Sequence, residues 1–196
     1  MDELIDEDFV PKKEKEVEPE GEPPPKALAT TIRLIDKYVG ELSGKIFMLM
    51  IFPLVGGSTY EVIARYVFNA PTKWAYDTSY MLYGSHFMLG AAYCLYKGGH
   101  IRTDVFYEKF SVHWQGRLDA ALYIFFFFPG MILFLWFGSI EAIHSWSILE
   151  ESVVSPWRPP LYPFKTVIPV AAALLIIQGV SELLKSLYAA TRGRWL

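Results

Sequence analysis

Four histidines, one cysteine and a few carboxylates set apart from the charged tail carry whatever chemistry this sequence has. His86 lies in the middle of a long apolar run, where an ionisable side chain is costly and is a functional candidate by default. It reads either as an interhelical hydrogen-bond partner or as an axial haem ligand in a helix bundle, and the haem role needs a second ligand at similar depth. His144 sits at the end of another apolar run, and two further runs contain no histidine. Asp77, three residues after Trp74, falls in the first turn of an apolar segment. There a carboxylate complements the helix dipole and can accept from free backbone N–H groups, with Trp74 as an interfacial anchor; the alternative is a contact with a partner subunit. Glu61 and Arg65 are spaced i, i+4, so they pair on one helix face, as a structural ion pair or as part of an ion pathway.

The segment Gly98-Gly99-His100-Ile101-Arg102-Thr103-Asp104 has a different grammar. Its two glycines allow a left-handed helix cap, and Thr103 or Asp104 can cap a following short helix whose apolar face is Val105, Phe106 and Phe110. His100 with Asp104 supplies two candidate metal ligands where three are needed. Cys94 is alone, which excludes an internal disulfide and a Cys-x-x-Cys pair. No Ser-His-Asp order, phosphate loop or carboxylate pair stands at catalytic spacing, so the sequence predicts no enzyme, no bound cofactor and no metal site.

These residues sit on segments long and apolar enough to cross a bilayer. The chain is 53% apolar and 16% aromatic with a positive mean hydropathy. Spans are expected at about 46–67, 76–96, 118–143 and 164–187, since about 20 residues rising 1.5 Å each cross a hydrocarbon core of roughly 30 Å. The expected fold is an all-α integral membrane protein whose four transmembrane helices occupy a membrane domain over residues 46–190. Pro53, Pro129 and Pro169 each remove one helical hydrogen bond within it. Pro156, Pro159, Pro160 and Pro163 predict a stiff, extended loop before the last span.

Residues 27–45 read as an N-terminal amphipathic in-plane helix, with Leu28, Ile32, Ile35, Val39 and Leu42 on one side and Arg33, Asp36, Lys37 and Glu41 opposite. Residues 1–26, proline-rich and acidic, read as a disordered cytoplasmic tail. The first thirty residues hold ten acidic and four basic side chains, so the net charge of -3 hides a mildly basic membrane part. Lys and Arg flank the spans mainly beside the termini and in the His100 loop, which places both termini on the cytoplasmic side. No halves share a motif, which argues against an inverted-repeat transporter.

The order ARYVFNAPTKWAYD (Ala64 to Asp77), a span containing Gly90-Ala91-Ala92, GGHIRTD (Gly98 to Asp104) and a proline-marked loop reaching Lys165 and Pro169 resembles the small membrane subunit of tripartite ATP-independent periplasmic (TRAP) transporters, the DctQ-like family. The similarity covers roughly residues 30 to 190. It departs in carrying Asp77 where the family commonly has a glutamate, and in its acidic tail. The resemblance implies a multi-pass subunit of a bacterial inner membrane, surrounded by phospholipid and binding no nucleic acid. Its partners would be a large multi-span subunit, which holds the sodium and substrate sites, and a periplasmic solute-binding protein, the complex importing an organic acid with sodium. Glu61, Arg65, Trp74, Asp77, His86, Gly98, Gly99, His100, Arg102 and Asp104 would then shape the bundle ends and the subunit interface. The competing readings are a haem- or quinone-linked membrane anchor and an independent small transporter.

Overall fold

A computed structural model describes residues 24–99, 107 and 110–196. The expected acidic tail lies almost wholly outside these residues, as do His100, Arg102, Asp104 and most of the expected short helix that follows them. Among the described residues the architecture is helical: α1 (Lys26–Tyr66), α2 (Ala75–Tyr96), α3 (Val112–Ser147) and α4 (Tyr162–Arg192). Three of them, α1, α3 and α4, are long and apolar enough to cross a membrane. The 22-residue α2 has the length of a span, about 33 Å at 1.5 Å per residue, but its five tyrosines, three Ser/Thr hydroxyls and His86 make it less apolar.

The helices run up and down in sequence order. At one end Tyr60 of α1 stacks on Trp74 before α2, and Lys165 of α4 pairs with Glu141 of α3. At the other, Gly40 and Gly44 of α1 meet Tyr96 and Tyr93 of α2, and Gly116 of α3 meets Ser186 and Ala190 of α4. α4 is the hub and touches all three other helices. It is also the helix with the most buried positions, and apart from Tyr188 these are small or polar: Ala171, Ala172, Gln178, Gly179, Ser181, Ser186 and Ala189. Between apolar surfaces in lipid no solvent-driven burial is available, so close backbone approach and polar contacts hold the bundle together.

The amphipathic stretch and the first span are not two elements. They form one 41-residue helix, about 60 Å long and so roughly twice the thickness of the hydrocarbon core. Its helical winding gives way to a tight turn at Leu49–Met50, four residues beyond the expected boundary. Pro53 is the cause: it cannot donate to the Leu49 carbonyl, which instead accepts from Phe52 N–H at 3.2 Å. Two stretches of wider π-helical winding, Asp36–Leu42 and Tyr123–Phe127, interrupt α1 and α3. The second ends just before Pro129, where the extra residue per turn absorbs the missing donor without breaking the helix. α4 continues through Pro169 unbroken.

The loop between α3 and α4 is not extended. Ser152 N–H donates to the Pro159 carbonyl and Leu161 N–H to the Glu150 carbonyl, both at 2.8 Å, so the chain doubles back into a short antiparallel bridge. Arg158 turns the corner at φ 49°, a left-handed conformation, and its guanidinium reaches Glu151 at 3.5 Å.

Candidate functional site

The polar side chains gather in three clusters and one isolated bond. Asp77 starts the first turn of α2 and is buried. Its oxygens accept no backbone N–H of that turn; they accept from Ser152 Oγ at 3.0 Å and from Ser155 Oγ, 75 and 78 residues away in sequence. The carboxylate fastens the returning loop onto the start of α2, while the helix dipole favours its charge. Glu61 does the same for the preceding loop: one oxygen receives Arg65 Nε at 2.9 Å and Nη2 at 2.5 Å, and the other receives Thr72 N–H at 2.9 Å and the Thr72 hydroxyl. Lys165 bridges Glu141 at 2.7 Å and Glu150 at 2.5 Å, and nearby Trp146 donates to Thr166 at 2.9 Å while its ring packs at a tilt against Tyr162. The ammonium of Lys165, hydrogen-bonded to Glu150, holds that carboxyl below its ordinary range.

At the opposite end stands the cluster that sequence reasoning missed. Asp36, expected on the solvent side of an amphipathic helix, faces α4 instead. One oxygen accepts from Gln178 Nε2 at 2.8 Å and Ser181 Oγ at 2.7 Å; the other meets Lys185 Nζ at 2.8 Å, and Lys185 also pairs with Glu182 at 2.7 Å. Gln178 and Ser181 are completely buried. The π-helical winding begins at Asp36 and changes which residues share a face, a shift that a 3.6-residue periodicity cannot register. The signal that could have found the cluster was Gln178 and Ser181, two polar residues in the middle of an apolar run, with Lys185 one turn further on.

His86, half-buried in α2, has its Nδ1 3.0 Å from the Phe47 carbonyl. A carbonyl only accepts, so Nδ1 carries the proton. The acceptor lies in the turn that precedes Pro53, where regular helical bonding fails, so the histidine joins α2 to α1 where α1 is weakest. His144 is exposed at the far end of α3, and the described residues contain no group of three His, Cys, Asp or Glu able to hold a metal ion.

Gly98 ends α2 with φ 65°, and its N–H bonds to the Leu95 carbonyl at 3.0 Å while Gly99 N–H bonds to the Cys94 carbonyl at 2.9 Å. That pair of bonds is a Schellman cap. Further along the chain the Tyr107 hydroxyl donates to Asp119 at 2.7 Å. Another feature the motif search passed over is Gly40-x-x-x-Gly44. A Cβ at Gly40 would lie 2.7 Å from the Tyr96 ring, and at Gly44 2.4 Å from the Tyr93 ring, so only glycine lets α1 and α2 close at this crossing.

The structure therefore brings Glu61, Arg65, Trp74 and Asp77 to one end of the bundle, in two separate loop fastenings, and sets His86 apart between two helices. In each cluster the charged groups find their partners within the chain.

No individual curated protein matches the sequence. The family model for the DctQ component of tripartite ATP-independent periplasmic transporters matches residues 54–188, more than two-thirds of the chain. The chain therefore belongs to the DctQ family, a transporter component and not an enzyme family, and its membrane-type helices agree with that.

Proposed function

We propose that this chain is the small scaffold subunit of a sodium-coupled TRAP-type importer of an organic acid. It sits in a bacterial inner membrane with α1, α2, α3 and α4 as four spans and both termini cytoplasmic. A large multi-span subunit would hold the sodium and substrate sites and perform the movement, and a periplasmic solute-binding protein would deliver the substrate. The observation that carries this reading is where the polar groups go. Asp36, Glu61, Asp77, Glu141, Glu150 and Lys185 are all engaged in joining this chain's own helices and loops, which leaves no row of free charged side chains among them to conduct a solute.

Two further features fit. The fourth span is supported by the alternating direction of the helices and by the packing of α2 against α1 and α4, which buries Asp77 and Ser85 away from lipid. The exposed apolar surface of α3, including Ile132, Leu133, Trp136, Phe137 and Ile140, suits lipid and a neighbouring subunit.

The test is uptake by reconstituted vesicles. Transport is expected only when a co-purifying multi-span protein and a binding protein are supplied with this chain. Uptake by this chain alone, or purification with no larger membrane protein attached, overturns the proposal.

A further inference from the structure

A groove of about 590 Å³ runs between α1 and α2 from Arg65 at the loop end to Leu54 and Tyr83 near mid-helix. Eleven residues of α1 separate Arg65 from Leu54, a rise of about 16 Å, which is close to half a hydrocarbon core of roughly 30 Å. The groove is therefore about one leaflet deep. Its polarity changes along that depth. At the loop end stand Arg65, Glu61 and Thr72; further in, the walls are Val62, Tyr80, Tyr83 and Leu54, with Ser58 and Ser79 satisfying each other at 3.3 Å on the floor. Val62, Tyr80 and Tyr83 are more than half exposed, so the groove opens laterally.

Arg65 is only partly committed. Nε and Nη2 both donate to one Glu61 oxygen, whereas Nη1 has no partner among the described residues and the side chain is 54% exposed. A guanidinium with spare donors at the interface level, above an apolar trench of monolayer depth, matches a phosphodiester head joined to an acyl chain. We propose that this groove is a binding site for one glycerophospholipid, with its phosphate on Arg65 and an acyl chain laid along Tyr80, Tyr83 and Leu54. The inference rests on the membrane placement proposed above and not on the scaffold role, so an uptake assay and a lipid assay can fail separately.

The test uses the full chain, with any partner that accompanies it, purified in detergent. It is washed free of loose lipid, incubated with vesicles of phosphatidylethanolamine and phosphatidylglycerol, re-extracted and examined by native mass spectrometry. One retained phospholipid per chain is expected. Arg65→Gln lowers retention at least fivefold, and Arg65→Lys restores part of it. Ser79→Phe, which fills the groove and leaves Arg65 in place, lowers retention by a similar factor, while Arg158→Gln leaves it unchanged. Inorganic phosphate does not displace the lipid, because the chain contributes to binding; displacement by phosphate overturns the site. Equal retention by Arg65→Gln and the native chain overturns it too. A photoreactive residue at Tyr83 provides a check independent of the Arg65 and groove-filling variants. It is expected to capture lipid, and capture of a protein segment instead assigns the groove to a subunit and overturns the proposal.

Discussion

The two ends of the bundle use carboxylates differently. At the loop end, Asp77 holds a loop against the start of α2 and Glu61 holds one against the end of α1, and Glu150 with Glu141 shares Lys165 at a partly exposed position. At the terminal end, Asp36 and Lys185 join two helices directly, beside the completely buried Gln178 and Ser181. Asp77 takes its bonds from neutral serine hydroxyls on a loop that can loosen. Asp36 and Lys185 are opposite charges on two packed helices, so removing one partner strands the other's charge. The Gln178 carbonyl oxygen already has no hydrogen-bond partner among the described residues, which leaves this cluster little slack.

That contrast is best broken at Lys185. Lys185→Met leaves Asp36 and Glu182 without their cation and is expected to cost about 3 kcal/mol, the largest loss among these variants, read as thermal unfolding in detergent. The double variant Asp36→Asn with Lys185→Met should recover much of it; simple additivity would show that the two residues do not act as a pair. Next in size is the glycine crossing at the same end. Gly44→Ala places a methyl group against the Cβ and ring of Tyr93 and should cost about 1–3 kcal/mol, whereas Gly56→Ala, with open space around it, should cost far less.

Asp77→Ala tests the loop fastening. It removes the acceptor of two serine hydroxyls and is expected to cost about 1–2 kcal/mol, together with faster proteolysis between Glu150 and Leu161 and little change in the rest of the helices. If proteolysis of that loop is unaltered, the carboxylate is not what holds it.

The smallest effect is a pH dependence. Lys165 holds the Glu150 carboxyl below its ordinary range, so the folded state binds that proton less readily than the unfolded one. The pair's contribution is then present above the unfolded carboxylate value of about 4.3 and is lost as the pH falls through the lower folded value. Native protein and Glu150→Gln should therefore differ slightly in Tm at neutral pH and converge in acid. A difference that grows in acid would reverse this assignment.

Several elements were legible because local chemistry fixes them. Gly98-Gly99 after a long apolar run specifies a left-handed helix cap wherever that helix packs. The i, i+4 spacing of Glu61 and Arg65 brings them together on any helix, and the length of the apolar runs settles the membrane class. His86 was visible as a costly group in an apolar span, but its acceptor, the Phe47 carbonyl beside the Leu49–Met50 turn, depends on the register between two helices. The partners of Asp77 are 75 and 78 residues away and belong to a loop whose doubling back no periodicity describes.

By itself, then, the amino-acid order determined a helical membrane protein of the DctQ family, the cap that ends α2 and the short-range ion pair, because each follows from hydropathy, capping and spacing within a few residues. Tertiary structure alone decided that Asp36 turns inward to Lys185, that Gly40 and Gly44 receive two tyrosine rings, and that α1 is continuous to the Pro53 turn. Those outcomes depend on winding and helix register, where one extra residue in a turn moves a side chain to another face.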